Sequence, residues 1–273
     1  EKRTRESQNY DESKVKTLSS IEHIRLRTGM YIGRIGNGTH PDDGIYVLFK
    51  EVMDNSVDEY IMGYGRRISI TSDKHSVTIR DYGRGIPLGK LVECVSQIKT
   101  GAKYNIDVFM FSVGLNGIGT KAVNALAEKF RVIAYREGNY REVVYCRGVL
   151  LKDESGKSSK RNGTLVEFTP DSEIFGDFTF REEFLQDRCQ HYTHLNAGLR
   201  IRLNGTDFIS EDGLMDLLHA EAGESAMYPI VFFRDKTLEF ALTHTVDFGE
   251  RYLSFANGQY TSSGGTHLSA FKE

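Results

Sequence analysis

Glu51, Asn55 and Asp58 stand four and three residues apart, which puts three oxygen-bearing side chains on one side of a helix. Glu51 in such a set can orient or deprotonate a water, and the Asn55 amide oxygen suits a hard cation such as magnesium. Further on, Asp81 stands immediately before Tyr82-Gly83-Arg84-Gly85-Ile86-Pro87. A carboxylate there can accept an exocyclic amine, and the glycines let a flat base approach the backbone. A third stretch runs Gly114-Leu115-Asn116-Gly117-Ile118-Gly119 and opens a helix, the place where main-chain N–H groups cradle phosphates. General base, metal ligand, adenine acceptor and phosphate cradle are the parts of an ATP site. None is decisive alone, because acidic helix edges are usually solvated and many hairpins end in Asp-x-Gly-x-Gly. Their co-occurrence carries the reading. The glycine loop also nearly spells a P-loop, but Thr120-Lys121 reverses the required order and turns the lysine about 100° around the helix.

The elements that must hold these residues are legible from periodicity. Over 44–62, Ile45, Leu48, Phe49, Val52, Met53, Val57, Tyr60 and Ile61 form one apolar stripe, so this is the clearest helix. Asp54 and Glu59 on it read as surface charges, with Glu59 also a partner for Arg84. Alternation over 67–71 and 76–81 predicts a hairpin that delivers Asp81. Helices are expected over 21–27 (stopped by Gly29), 89–99, 117–129, 181–196 and 213–220. Strands are expected at 130–136, 141–147, 164–169 and 199–204, with 152–161 as a polar linker. After a joint at 221–228 the pattern turns to strands at 229–234, 238–244 and 251–256. The expected organisation is an arm at 1–17, a mixed α/β domain at 18–222 and the start of a second domain at 223–273.

Composition narrows the classes. Hydrophobic residues make up 39% and charged residues 27%, so the chain can bury real cores. A net charge of −3 gives no general pull toward nucleic acid or anionic membrane. A DNA contact would need a local basic patch or another part of a larger protein. Cys94, Cys146 and Cys189 are widely separated and read as reduced thiols. No stretch has the length of a membrane span and the N-terminus is no signal peptide. Asn-Gly-Thr at 37, 162 and 204 reads as turn chemistry, and His191 with His194 as a structural helix pair.

Glu51…Asn55, Asp-Tyr-Gly-Arg-Gly-Ile-Pro, Gly-Leu-Asn-Gly-Ile-Gly and Asn162-Gly-Thr164 stand in the order of the four boxes of the GHKL ATPases. Gly29-Met-Tyr-Ile-Gly33, Lys-Thr-Gly-Ala-Lys103-Tyr, the run 112–126 and Gly264-Gly-Thr-His267 narrow this. Over essentially its whole length the chain resembles the ATPase subunits of bacterial type IIA topoisomerases, DNA gyrase and topoisomerase IV. Asn116, where many gyrases have His, and the short segment between Pro87 and Lys99 resemble the topoisomerase IV branch more.

The resemblance implies a two-layer α/β (α+β) sandwich followed by the start of an S5-like transducer domain. It implies ATP and magnesium as cofactors, with Glu51 as general base and Asn55 as metal ligand beside Asp58. Asp81 would take adenine, helped by Thr164, with Arg84, Gly85, Ile86 and Pro87 at the mouth. Lys103 and the loop Gly114, Leu115, Asn116, Gly117, Ile118 and Gly119 would hold phosphates. Tyr10 and Tyr31 match positions used around nucleotide and dimer arm, and Arg136 the rim that receives ATP-competitive inhibitors. Implied partners are DNA, a second copy joined ATP-dependently and the A subunit of topoisomerase IV or gyrase in a heterotetramer; no membrane is implied, and the place is the bacterial cytoplasm and nucleoid. The family also draws a phosphate-binding lysine from late in its second domain. Read as an excised piece without that lysine, the chain is expected to bind adenine-pocket ligands, turn over slowly and stay monomeric without nucleotide.

Overall fold

The computed structural model describes residues 18–98, 117–261 and 263–273. Its frame is an eight-stranded sheet made of β1 (Arg67–Ser72), β2 (Val77–Asp81), β3 (Ala127–Arg136), β4 (Asn139–Cys146), β5 (Val149–Lys157), β6 (Gly163–Pro170), β7 (Arg200–Leu203) and β8 (Thr206–Phe208). The order across it is β5-β4-β3-β6-β2-β1-β7-β8, antiparallel everywhere except β1 beside β7. The period of two sends Ile68, Ile70, Val77, Ile79, Val132, Val143, Val166, Phe168 and Ile201 to one face, all buried.

That face is covered by helices. The longest, α3 (Gly44–Ile61), lays Ile45, Leu48, Phe49, Val52, Met53 and Val57 into the core. Around it lie α1 (Ser20–Leu26), α2 (Thr28–Ile32), α4 (Leu91–Ser96), α5 (Gly119–Leu126), α6 (Ser172–Phe175), α7 (Glu182–Leu195) and α8 (Leu214–Ala222). Ser19 and Glu22 close a reciprocal capping box that starts α1. Beyond a 3-10 turn at Gly223–Ser225 come β9 (Val231–Arg234) with β10 (Glu239–Leu242), β11 (Phe255–Ala256) with β12 (Gln259–Tyr260), and α9 (Thr266–Lys272).

Four expectations need correction. The chain re-enters a helix at Thr28 and Gly29 lies inside α2. Most of the expected linker at 152–161 is the edge strand β5, paired with β4 from Val149 to Lys157. The strand expected at 251–256 shrinks to Phe255–Ala256. Asp54 is no surface charge: it is 2% exposed and receives Lys50 Nζ at 2.7 Å, Tyr192 Oη at 2.5 Å and Gln259 Nε2 at 3.2 Å.

Candidate active site

Asp81 is the last residue of β2 and is 5% exposed. Gly83 N–H donates to its Oδ1 at 2.9 Å, and Thr164 N–H, from the neighbouring β6, reaches both carboxylate oxygens at 3.1 Å. The close approach of β6 requires Gly163, whose φ is +129° and whose position would drive a Cβ into the Asp81 main chain. Among the described residues no cation lies within ion-pair distance of Asp81. Burial pushes its pKa up to about 6; the Gly83 and Thr164 N–H groups and the charge of Arg80 oppose that rise, and Glu59 adds to it. The carboxylate is therefore still mostly ionised at neutral pH, as an acceptor must be.

The turn after Asp81 is latched to α3. Glu59 accepts Arg84 N–H at 2.7 Å, Arg84 Nη2 at 2.8 Å and Arg84 Nε at 3.2 Å, while the guanidinium lies 4.3 Å from the Tyr64 ring centroid. The Glu59 hydrogen bonds raise the Arg84 pKa further, so this fork is charged at any working pH. Gly85 and Ile86 continue the turn to the exposed Pro87, and Arg136 Nη1 donates to the Gly85 carbonyl at 3.2 Å. The expected pairing of Glu59 with Arg84 is present, with a main-chain bond the sequence did not reveal.

On the same helix, Glu51 and Asn55 face the first turn of α5. A Cβ at Gly119 would run into the Glu51 carboxylate, so only glycine lets that helix start so close. Asn55 Nδ2 donates to the Glu51 carbonyl at 2.6 Å and to Thr120 Oγ1 at 3.2 Å. With the amide N–H groups directed there, Oδ1 is the atom of Asn55 suited to a hard cation, and the donor chemistry fits magnesium. Asp58 is buried one turn further along. The partial positive charge of the α5 N-terminus adds to an anion-favouring corner.

The structure thus brings together Glu51, Asn55, Gly119 and Thr120 in one cluster and Asp81, Thr164, Gly83, Glu59, Arg84, Gly85 and Arg136 in another, joined by α3. Gly117 and Ile118 lead directly into α5. Tyr31 sits on α2 with its hydroxyl 2.8 Å from His23 Nδ1; no hydrogen bond among the described residues ties it to either cluster. Tyr10, Lys103, Gly114, Leu115 and Asn116 lie outside the described residues. Sequence reasoning assigned Thr120 and Gly163 no role in the site, although Gly163 lies inside the noticed Asn162-Gly-Thr164 and Thr120 directly follows the glycine loop.

Residues 41–174 match the family of histidine kinase-, DNA gyrase B- and HSP90-like ATPases. The crystallised 43K ATPase domain of Thermus thermophilus gyrase B, in complex with an aminocoumarin, shares 30% identity at a TM-score of 0.75, covering 93% of this chain and 70% of that one. The chain belongs to the gyrase-B-type ATPase family. The gyrase B protein from Myxococcus xanthus has the same fold, at a TM-score of 0.77. Among curated relatives, the topoisomerase IV B protein of Borreliella burgdorferi is 58% identical over 98% of this chain. The gyrase B protein of Helicobacter pylori is 33% identical over 97%. The chain spans 45% of the length of the first and 37% of the second. Among the described residues no helix is long and apolar enough to cross a membrane.

Proposed function

We propose that this chain is the ATP-operated clamp of a bacterial type II DNA topoisomerase of the topoisomerase IV kind. Residues 18–222 form the nucleotide unit and 223–273 begin the domain that transmits its state. The observation that carries the reading is Asp81, a buried carboxylate met, among the described residues, by main-chain donors and by no ion-paired cation. Such a group gains when a ligand brings a further donor, and the exocyclic amine of adenine is one.

In this reading ATP lies with its base on Asp81 and its phosphates at the start of α5. Main-chain N–H groups of Gly117–Gly119 and the Lys103 ammonium steady the phosphates, and the Glu59-locked Arg84 turn with Ile86 and Pro87 walls the base. Asn55 offers its oxygen to magnesium, with Asp58 behind it; that ion, when bound, spreads phosphate charge. Glu51 takes a proton from a water whose oxygen attacks the γ-phosphorus, the β–γ bridging P–O bond breaks, and ADP keeps the electron pair. Arg136 stands at the rim where competitive inhibitors would sit. Tyr10, in the arm, and Tyr31, on α2, stand around the nucleotide and the place where two copies join. The whole protein would couple this cycle to passage of one duplex through another cut by a partner A subunit, in the bacterial cytoplasm.

Calorimetric titration with ATP tests the core of this reading. Asp81→Asn leaves one oxygen to serve Gly83, Thr164 and the base together, so affinity should fall about ten- to a hundredfold, the worth of a charge-assisted hydrogen bond. Unchanged affinity removes the adenine role. The identity of 58% to a topoisomerase IV protein, compared with 33% to a gyrase protein, supports the first branch. Decatenation by the reconstituted enzyme, against negative supercoiling, decides between them.

A further inference from the structure

The face of the sheet turned away from the helices is two different surfaces. On β3, β4, β5 and β6 its cations are matched: Arg131 pairs with Glu142 and Glu167, Lys129 with Glu167, and Lys152 with Glu142 and Glu154. On β2, β1 and β7 they are not. Arg67 stands in register beside Arg200, and Ser69 stands between Arg80 and Arg202. Because Ile68, Ile70, Ile79 and Ile201 point into the core, these alternate positions all project from the opposite face. The one carboxylate among them is Asp207, 3.8 Å from Arg202. Among the described residues Arg67, Arg80 and Arg200 have no ion pair.

Aromatic rings hold the cations in place. Arg80 lies 4.5 Å from the Tyr135 ring centroid and 5.1 Å from that of Tyr82; Arg67 lies 5.9 Å from Tyr82, and Lys160 Nζ lies 5.3 Å from Tyr135. Burial lowers the Arg80 pKa, the charge of the neighbouring Asp81 opposes that fall, and Arg80 Nη2 donates to the Arg161 carbonyl at 2.6 Å. Like charges side by side on neighbouring strands destabilise a sheet. Their clustering, in a chain of net charge −3, is the local basic patch that a polyanion partner would require.

We propose that the β2–β1–β7 half of this face docks the phosphate backbone of duplex DNA without reading its sequence. Three strands span about 10 Å, while a duplex presents a charge every ~1.7 Å of its axis, so several phosphates face the arginines at once. The planar guanidiniums of the exposed Arg67, Arg200 and Arg202 on a rigid sheet suit bidentate phosphate contacts, while Arg80, more deeply set, adds charge behind them. The choice of DNA among polyanions rests on the topoisomerase reading above.

The test is fluorescence anisotropy of a labelled random-sequence duplex titrated with the chain over a salt series. Binding should weaken as salt rises. Arg200→Glu with Arg202→Glu should weaken it about tenfold or more and flatten the log–log salt slope by about 2, because each neutralised phosphate adds roughly 0.9 to that slope. Arg67→Glu alone should give a smaller change of the same kind. Lys129→Glu with Lys152→Glu makes the same charge change on the matched half and should weaken binding clearly less. The proposal is overturned if the arginine variants bind like the parent, if the lysine variants weaken binding as much, or if polyglutamate competes as well as duplex at equal charge. ATP titration into the parent chain keeps the two readings apart. DNA binding without ATP binding upholds the surface and removes the clamp, and ATP binding without DNA binding does the reverse.

Discussion

Asp81 and Asp171 are both aspartates sunk into the protein, 5% and 0% exposed, yet they are built in opposite ways. Asp171 follows β6 and caps α6; it accepts from Arg25 Nη2 at 2.7 Å and Glu173 N–H at 3.1 Å, and it forms an ion pair with Arg147, whose Nε lies 3.0 Å away. Burial works against its charge, but the hydrogen bonds from Arg25 and Glu173 and the charges of Arg25 and Arg147 hold its pKa below the ordinary value. Among the described residues Asp81 has main-chain donors only, and burial outweighs them and the charge of Arg80. A carboxylate kept for architecture is neutralised from within the fold. On the proposed reading Asp81 is kept for a ligand: it is left short of positive charge, and the fold bears that cost until a donor arrives.

The largest effect should appear at a third carboxylate, Glu51, which on the proposed reading belongs to neither class because it would act on water. Glu51→Ala in the whole protein should cut turnover about 10²–10⁴-fold, the range for losing a general base, while nucleotide still binds. Steady-state ATPase measured beside calorimetry checks this, and parallel loss of binding and turnover would make Glu51 a structural group. Next comes Asp171→Ala, expected to cost about 2 kcal/mol of stability, because it removes the buried cap of α6 and its charge-assisted hydrogen bond from Arg25, while Glu173 still pairs with Arg25 and Arg147. Urea unfolding measures it. Asp81→Asn should move stability far less than it moves ATP affinity. If the two substitutions destabilise equally, the division between architectural and ligand-facing carboxylates is wrong.

That division was only half legible in the sequence. Glu51, Asn55 and Asp81 announced themselves by spacing and by the glycines around them, and α3 by its apolar stripe. Asp54 did not. It looked like one more charge on a helix edge, and its burial comes from Tyr192 and Gln259, 138 and 205 residues away. The strand β5 was hidden because an exposed edge strand lacks the apolar alternation that marks half-buried ones. Thr164 was noticed, but its main-chain N–H reaches Asp81 only through the β2–β6 register. The clustered arginines were equally invisible. Arg67, Arg80, Arg200 and Arg202 become neighbours only once β7 lies parallel to β1.

The smallest expected effect is one of pH, and it separates the two aspartates by sign. Asp81 has a folded-state pKa of about 6 against an ordinary value of 3.8, so the folded chain binds this proton more tightly than the unfolded one. Its contribution to stability is full below the unfolded value and is lost as pH rises through about 6. Asp171 runs the other way: its pKa is lowered on folding, so its stabilisation is present above the unfolded value and is lost as pH falls through the folded one. Asp81→Asn should therefore remove a stability gain between pH 7 and 4, and Asp171→Asn a stability loss at the acid end. On the proposed reading ATP affinity also follows the Asp81 carboxylate. It should decline about tenfold per pH unit below 6, because one protonation competes with the adenine donor. The decline should vanish in Asp81→Asn and persist in Asp171→Asn. Calorimetric titrations from pH 7.5 down to 5 would show this directly, and an equal decline in all three proteins would place the titrating group somewhere other than Asp81.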